Sequence, residues 1–295
     1  MIVGLSTVFE RSLHDRSALP DAVIDLALRL EAGGLVLDSG LSKGLFAELS
    51  RRLAVRRDVL PVWALECPCP VTRASRAALS AVDRDEAEAA VGAAEETLAR
   101  AGELGAGMVV LRLGEVAALR RDWPSVRHAF LCARLDADGR QRLVDERTVR
   151  VAPHLDSARR SVDRLTRVAE RHGLVLGIRN PSKIIDLPSP DELALLLDDL
   201  AGAPVAPLFD TAAAHLDDAM GFQSLATVAA AWKSAPLALV ADACGPVTGL
   251  VPGSGEIDLP SLGLAAFAQT AFHPSSGLSE AELREGMRRL RAMES

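Results

Sequence analysis

The sequence predicts an α/β fold of the (β/α)8 type, in which a closed barrel of eight parallel strands is surrounded by helices. Short apolar segments alternate with longer segments of helical periodicity, which is the pattern of a parallel sheet with crossover helices. There are eight such apolar segments. The length of 295 residues also fits one barrel of this type, which typically has about 250 residues.

The eight apolar segments are the predicted strands. They cover residues 3–8, 35–38, 59–65, 108–113, 174–179, 205–210, 237–242 and 270–273. Because each is short, rich in Val, Leu and Ile, and followed by turn or helix-start residues, we interpret them as buried parallel strands.

The segments between the strands carry helix start and stop signals. A first helix is predicted over residues 22–31, and Asp83 precedes a helix predicted over Arg84–Leu104. Ser189 and Ser279 each stand before an acidic first turn, where a side-chain oxygen can accept from free backbone amides. These signals place helices after the predicted strands, as the barrel requires.

Residues 115–153 do not fit a simple strand–helix unit. Trp123 and Phe130 belong to an apolar pattern that predicts one extra amphipathic helix, and the residues around Asp138 and Gly139 favour a polar turn. We therefore expect an extra helical excursion between strand 4 and helix 4, with packing as its favoured role. Since no linker-like segment divides the chain, residues 1–295 are predicted to form a single domain.

Composition excludes several classes of function. The chain has 33 basic and 40 acidic residues and a formal net charge of −7, which disfavours nucleic acid as a partner. Tyr is absent, so no mechanism can use a phenol. No apolar run approaches the roughly 20 residues of a membrane span, and the four cysteines form no disulfide framework for a chain of this length. We expect a cytoplasmic protein with reduced thiols and no membrane partner.

Polar residues follow most of the predicted strands, and the carboxyl ends of barrel strands are where active sites lie. They are Glu10, Asp38, Glu66, Arg112, Arg179, Asn180, Asp210, His215, Asp242 and His273. Each could instead be a structural hydrogen-bonding residue. Cys67 and Cys69, after the third strand, fit inert packing better than reactivity, and His14 is either a loop residue over the site or a solvated one.

Three segments carry a resemblance to a known family. They read Gly-Ile-Arg-Asn at 177–180, Leu-Phe-Asp-Thr at 208–211 and Pro-Gly-Ser-Gly-Glu-Ile-Asp at 252–258. In this order and spacing, the chain resembles the xylose isomerase-like TIM barrels, a superfamily that includes sugar-phosphate isomerases, sugar epimerases, inosose dehydratases and endonuclease IV. The resemblance covers nearly the whole chain and implies the same barrel fold.

The resemblance also implies a divalent metal, but the sequence departs from the family at the ligand positions. The family uses a Glu after strand five, an Asp after strand six, a His in strand seven and a Glu after strand eight. Here these positions hold Arg179, the retained Asp210, Leu239 and the neighbourhood of Phe272 and His273. A guanidinium about 4 Å from a divalent cation would repel it by roughly 8 kcal/mol at an effective dielectric constant of 20. We expect a degenerate metal site and no cofactor.

Two further positions depart from the family. The family's Asp-Thr-x-His segment becomes Asp-Thr-Ala-Ala at 210–213, with His215 two residues later, and the His that usually ends strand four is Arg112.

Two functional hypotheses remain open. In the first, the protein is a metal-free isomerase or epimerase acting on a small anionic sugar derivative. The proton-moving candidates are Glu66, Asp210, Asp242 and His273, and the substrate-binding candidates are Arg112, Arg179, Asn180, His215, Gly253 and Gly255. In the second, the barrel has lost catalysis and binds a ligand or partner, while its arginines neutralise Asp210 and Asp242. The family resemblance makes a homodimer possible.

Overall fold

The computed structural model describes residues 2–12, 19–72 and 77–293. His14 and the side chain of Glu10 lie outside the described part. Within it, eight parallel strands form a closed barrel. Strands are numbered in chain order, and the numbers absent here belong to four short strands that lie outside the barrel in the described part. The barrel strands are β1 (Val3–Ser6), β2 (Leu35–Leu37), β3 (Val62–Glu66), β4 (Met108–Leu111), β6 (Val175–Arg179), β8 (Val205–Asp210), β9 (Leu237–Val240) and β12 (Gln269–Phe272).

The barrel closes because β1 pairs with both β2 and β12. The order around it is β1, β12, β9, β8, β6, β4, β3, β2, and Leu5 stands beside Leu35 on one side and Phe272 on the other. The predicted (β/α)8 barrel is thus confirmed. The predicted segment 3–8 extends beyond its strand because a 3-10 helix begins at Thr7.

Two short antiparallel pairs lie outside the barrel among the described residues. They are β5 (Gly114–Glu115) with β7 (Asp186–Leu187), and β10 (Asp242–Cys244) with β11 (Val247–Leu250). The first pair joins the loops after β4 and β6. The second pair follows β9 and ends that strand two residues earlier than the predicted segment 237–242.

The helices surround the barrel. They are α1 (Leu19–Arg29), α2 (Lys43–Ala54), α3 (Arg84–Leu104), α4 (Trp123–Leu131), α5 (Ala137–Arg150), α6 (Ala152–His172), α7 (Pro190–Asp199), α8 (Thr211–Ala219), α9 (Leu225–Ala231) and α10 (Glu280–Ala292). The predicted caps function as such: Asp83 accepts from the Glu86 amide, and Ser189 and Ser279 form capping boxes. Within the described residues, no helix is both long and apolar enough to span a membrane.

The excursion contains two helices rather than one. The predicted amphipathic helix is α4, but the polar turn predicted around Asp138 and Gly139 is wrong, because these residues lie in the first turn of α5. The Asp136 carboxylate accepts from the Gly139 amide at 2.7 Å. Asp136 thus caps a helix whose first turn contains the two residues that suggested a turn, and α5 carries the buried Arg147.

Alternation along the strands brings the candidate side chains to one place. The barrel interior contains Val36, Ala64, Val110, Leu208, Leu239 and Ala271, whereas strand neighbours such as Phe209 and Phe272 pack under the helices. Because successive side chains point to opposite faces, the next inward positions at the carboxyl ends fall on Asp38, Glu66, Arg112, Asp210 and His273. This end of the barrel is called the mouth below.

Candidate functional site

Arg179 lies at the centre of the mouth between two carboxylates. Its Nη1 donates to Glu66 Oε2 at 3.0 Å, and its Nη2 donates to Asp210 Oδ2. The Arg179 side chain is 8% exposed, Glu66 3% and Asp210 2%. A pairing of Arg179 with Asp210 agrees with the sequence expectation, while the second partner is Glu66 rather than Asp242.

The three groups keep one another charged. Burial opposes ionisation of Glu66 and Asp210, but the Arg179 charge and smaller contributions from other neighbours together outweigh it, so the pKa of each carboxyl is lowered. Burial likewise opposes the charge on Arg179, and its carboxylate neighbours raise its pKa. Since a hydrogen-bonded ion pair is the arrangement that permits charges to be buried, the mouth contains a stable cation with two ionised partners.

His273 and Arg112 approach Glu66 from other sides. His273 Nδ1 is 3.6 Å from Glu66 Oε1, and Arg112 Nη2 is 3.6 Å from Glu66 Oε2. Burial lowers the pKa of His273 although Glu66 opposes the shift, so the imidazole is neutral at pH 7. The like charge of Arg179 lowers the pKa of Arg112. The Arg112 side chain is 63% exposed, which leaves its guanidinium accessible to a ligand.

Asp242 does not join this group. Its carboxylate accepts from four backbone amides, those of Ala243, Gly253, Gly255 and Ile257, at 2.8 to 3.1 Å. The expected pairing of Asp242 with an arginine is therefore wrong. Leu239 faces the barrel interior, and side chains two positions apart share a face, so Asp242, three positions later, falls on the opposite face.

The same hydrogen bonds change the interpretation of the glycine segment. The Gly253 and Gly255 amides, which the sequence offered for a substrate phosphate, donate to Asp242 in this structure. Gly253 has a φ of +76°, and a Cβ at Gly255 would overlap the carbonyl oxygen of Ala243. The two glycines thus allow the loop to wrap around Asp242.

Asn180 and His215 have neighbours of their own. The Asn180 side chain donates to the Asp210 carbonyl at 3.1 Å and accepts from the Asp210 amide, which joins the ends of β6 and β8. His215 Nε2 is 3.7 Å from Glu256 Oε2, beside the glycine segment. Asn180 also lines the mouth cavity.

A cavity of about 480 Å³ opens at the mouth. Its polar lining is Ser39, Arg112, Glu115, Arg120, Arg179, Asn180, Ser182, Lys183 and Asp186. Sequence reasoning missed Lys183, Asp186, Glu115 and Arg120. The available signal was that Lys183 is one of few lysines and follows Asn180 by three residues, but the β5–β7 pairing that brings these loops together was not predicted.

The two cysteines after β3 are unsuited to nucleophilic chemistry. Burial raises the pKa of the Cys67 thiol to about 12 and raises the pKa of Cys69 as well. Cys67 lines the cavity, and Cys69 is fully buried against the barrel. Because the thiolate is the reactive form, both function as packing residues.

Comparison with solved structures identifies the fold. A D-tagatose 3-epimerase-like protein has a TM-score of 0.72 at 15% identity, covering 100% of this chain and 97% of that one. The 3-keto-D-glucoside 4-epimerase of E. coli has a TM-score of 0.68 at 14% sequence identity, and the match covers 99% of this chain and 99% of that one. The Xylose isomerase domain protein of Planctomyces limnophilus has a TM-score of 0.63 at 14% sequence identity, and the match covers 99% of this chain and 96% of that one. The chain shares the (β/α)8 barrel fold of these proteins. No family model and no curated protein matches its sequence.

The residues at the mouth do not fit the divalent metal that a resemblance to xylose isomerase-like barrels implies. Among the described residues, no three His, Cys, Asp or Glu side chains are grouped so that they could hold a metal ion. Glu66 and Asp210 both bind the Arg179 guanidinium. A metal ion needs several converging anionic or imidazole ligands, and here a fixed cation already lies between the two carboxylates.

Proposed function

We propose that this protein is an isomerase- or epimerase-like barrel that acts without a divalent metal on a small anionic sugar derivative. The observation that supports this most directly is Arg179, which is held between Glu66 and Asp210 at the mouth. A buried guanidinium there supplies the positive charge that stabilises a developing oxyanion.

The chemistry is reversible removal of a proton from carbon next to a carbonyl group. Neutral His273 accepts the proton, the carbonyl oxygen gains negative charge as the enediolate forms, and Arg179 donates hydrogen bonds to that oxygen. For isomerisation, His273 returns the proton on the same face to the former carbonyl carbon, while the adjacent hydroxyl group passes its proton to the former carbonyl oxygen. For epimerisation, solvent water delivers a proton to the opposite face of the first carbon, and His273 releases its own proton to solvent. Glu66 Oε1 lies 3.6 Å from His273 Nδ1, so its negative charge stabilises the imidazolium that forms when His273 takes the proton.

His273 is the proton carrier in this proposal because the alternatives are poor bases. The pKa of Glu66 and of Asp210 is lowered by Arg179 despite burial, and Asp242 is saturated by backbone amides. Burial lowers the pKa of His273 as well, but that shift starts from the ordinary imidazole value of about 6.5, against about 4 for a carboxyl group, and a base works best when its pKa lies near the operating pH.

Arg112 explains why the substrate is expected to be anionic. Its guanidinium is largely exposed in the cavity, and Glu66, its nearest carboxylate, already accepts from Arg179. A phosphate or carboxylate on the substrate would offer Arg112 the forked, charge-assisted hydrogen bonds that guanidinium groups form.

The test is solvent deuterium exchange followed by proton NMR. Purified protein is incubated in D2O and EDTA with ketose phosphates, keto sugar acids and matched neutral ketoses. We expect deuterium at the carbon beside the carbonyl of an anionic compound, unchanged by EDTA. The variant His273→Asn should lose at least about 100-fold in rate, and the exposed His128→Gln on α4 should match the wild type.

Two results would overturn the proposal. One is exchange that EDTA abolishes and Mn²⁺ or Mg²⁺ restores, because this would place a metal in the mechanism. The other is exchange that proceeds equally well with neutral ketoses and with the variant Arg112→Met.

A second candidate function is binding without turnover. It is favoured by the Arg179, Glu66 and Asp210 group, which is already charge-paired without a ligand. An anion that raises the melting temperature of the wild type but not of Arg112→Met, with no exchange in any compound, would establish this function instead.

A further inference from the structure

Asp217 on α8 is a buried carboxyl group behind the mouth cavity. The residue is 1% exposed, and neither of its carboxyl oxygens has a hydrogen-bond partner within the described part of the chain. A buried, ionised carboxylate without a partner is among the costliest groups that a fold can contain, and such a group usually takes up a proton instead.

The charges around Asp217 form a connected series that reaches the cavity. Arg147 binds Glu192 with two hydrogen bonds of 2.6 and 2.8 Å and donates to the Asp186 carbonyl at 3.0 Å. Lys183 Nζ lies 3.5 Å from Asp186 and 3.2 Å from Glu115. Asp186 and Lys183 both line the cavity.

Asp217 differs from the other carboxyl groups of this series, each of which has a cation within 4 Å. Arg120 and Lys183 pair with Glu115, Lys183 also pairs with Asp186, and Arg147 pairs with Glu192. Among the described residues, Asp217 is the member that has no hydrogen bond and no ion pair to stabilise a negative charge.

The surrounding electrostatics favour the same residue. Burial, and after it the Asp186 carboxylate, raise the pKa of Asp217 to about 7, while Arg147 opposes the shift. Asp218 on the same helix adds to it. The neighbouring α9, β9 and β11 carry no titratable side chain, and Asp242 of β10 faces the loop amides described above. Cys244, also on β10, donates to Glu256.

We propose that Asp217 holds a proton at and below neutral pH, and that anion binding in the mouth cavity is coupled to this protonation through Asp186 and Lys183. When Asp217 is ionised, a second negative charge lies behind Asp186 and weakens the cavity's attraction for an anion. When it is protonated, Lys183 is less fully neutralised and the cavity binds anions more tightly. The coupling rests on the proposed anion-binding function, whereas the protonation of Asp217 does not.

The first test measures protonation without any ligand. A carboxyl with a folded-state pKa raised to about 7 binds more protons when folded than when unfolded, so its contribution to stability is lost as pH rises from about 4 to 7. Relative to Asp217→Asn, the wild-type unfolding constant in urea should increase roughly 100-fold between pH 5 and pH 8. The exposed Asp258→Asn, whose carboxylate does not contribute to the pKa of Asp217, serves as the matched control and should retain the wild-type dependence.

A further variant protects this test against a misfolded Asp217→Asn. Asp186→Asn keeps Asp217 but removes the adjacent negative charge, so it should move the titration of Asp217 to lower pH. Because burial also raises the pKa of Asp186 itself, the contribution of Asp217 is taken as the difference between Asp186→Asn and the double variant Asp186→Asn, Asp217→Asn. Identical pH profiles for the wild type, Asp217→Asn and Asp186→Asn would contradict the protonation of Asp217.

The second test measures coupling with sulfate, which stays a dianion over this pH range. We expect the wild-type Kd for sulfate to rise roughly three- to tenfold from pH 5 to pH 8, and the Kd of Asp217→Asn to rise much less. If sulfate binds with the same pH dependence in both proteins, the coupling is wrong. If sulfate binds neither protein at any pH, the anion-binding proposal fails, and the unfolding data still decide the state of Asp217.

Discussion

Arg179 places a permanent positive charge between two buried carboxylates. A guanidinium does not deprotonate at accessible pH, so the charge balance of the mouth does not depend on a bound ion. The neutral His273 and the exposed Arg112 both lie near Glu66. In the proposed function, His273 moves the proton, and Arg112 contacts the ligand without breaking the buried ion pairs.

Removing the Arg179 charge should destabilise the barrel strongly. We expect Arg179→Ala to lower the free energy of unfolding by about 3–5 kcal/mol at pH 7, because it leaves Glu66 and Asp210 buried without their cation. The measurement is equilibrium unfolding in urea.

Arg164 on α6 offers a matched control for this variant. It also binds two carboxylates, Glu88 and Glu95, but it is 46% exposed. Arg164→Ala should cost about 1 kcal/mol or less. Equal losses for the two variants would mean that the Arg179 pairs are not desolvated in solution.

The loop from 243 to 257 shows how an element can form around one side chain. Asp242 collects four amides from this segment, which includes the β10–β11 pair and the glycines after it. A sequence with Gly at 253 and 255 resembles a phosphate-binding loop because both uses require backbone amides that point inward. The acceptor here is a residue of the chain itself.

Asp242→Ala should therefore loosen the loop and lower stability. Several buried amides would lose a charged acceptor, and an unsatisfied group costs about 1–3 kcal/mol, so we expect a loss of about 3 kcal/mol. Faster hydrogen exchange at the Gly253, Gly255 and Ile257 amides measures the effect directly. The control is the exposed Asp258→Ala, which should change the free energy of unfolding by no more than about 0.5 kcal/mol. If the Gly253, Gly255 and Ile257 amides exchange as slowly in Asp242→Ala as in the wild type, this role of Asp242 is wrong.

At the scale of the whole molecule, a (β/α)8 barrel carries a mouth in which Arg179 balances two buried carboxylates. We expect purified protein to contain well under one equivalent of Zn, Mn or Mg by elemental analysis after gel filtration. EDTA or added Mn²⁺ should shift its melting temperature by less than about 1 °C, because Arg179 competes with any cation for Glu66 and Asp210. A stoichiometric metal whose removal lowers the melting temperature would contradict this.

The sequence by itself determined the barrel. The alternation of apolar segments with helical segments, the helix caps and the number of apolar segments are local signals, and all of them agree with one another. Asp83, Ser189 and Ser279 begin their helices as predicted, since a cap depends only on residues three or four positions away. The same local reasoning failed at Asp138 and Gly139, which lie in the first turn of the helix capped by Asp136, because turn signals and helix-start signals share Asp and Gly.

The tertiary structure decided which strand-end residues meet. The side chains of Glu66, Arg179, Asp210 and His273 meet at the mouth because each faces the barrel interior at the end of its strand. Asp242 does not face the interior and accepts hydrogen bonds from its own loop. Lys183 and Asp186 reach the cavity through the pairing of β5 with β7, which joins segments about 70 residues apart. Contacts of this kind depend on distances across the barrel, and those distances are set by strand register and closure rather than by any local pattern.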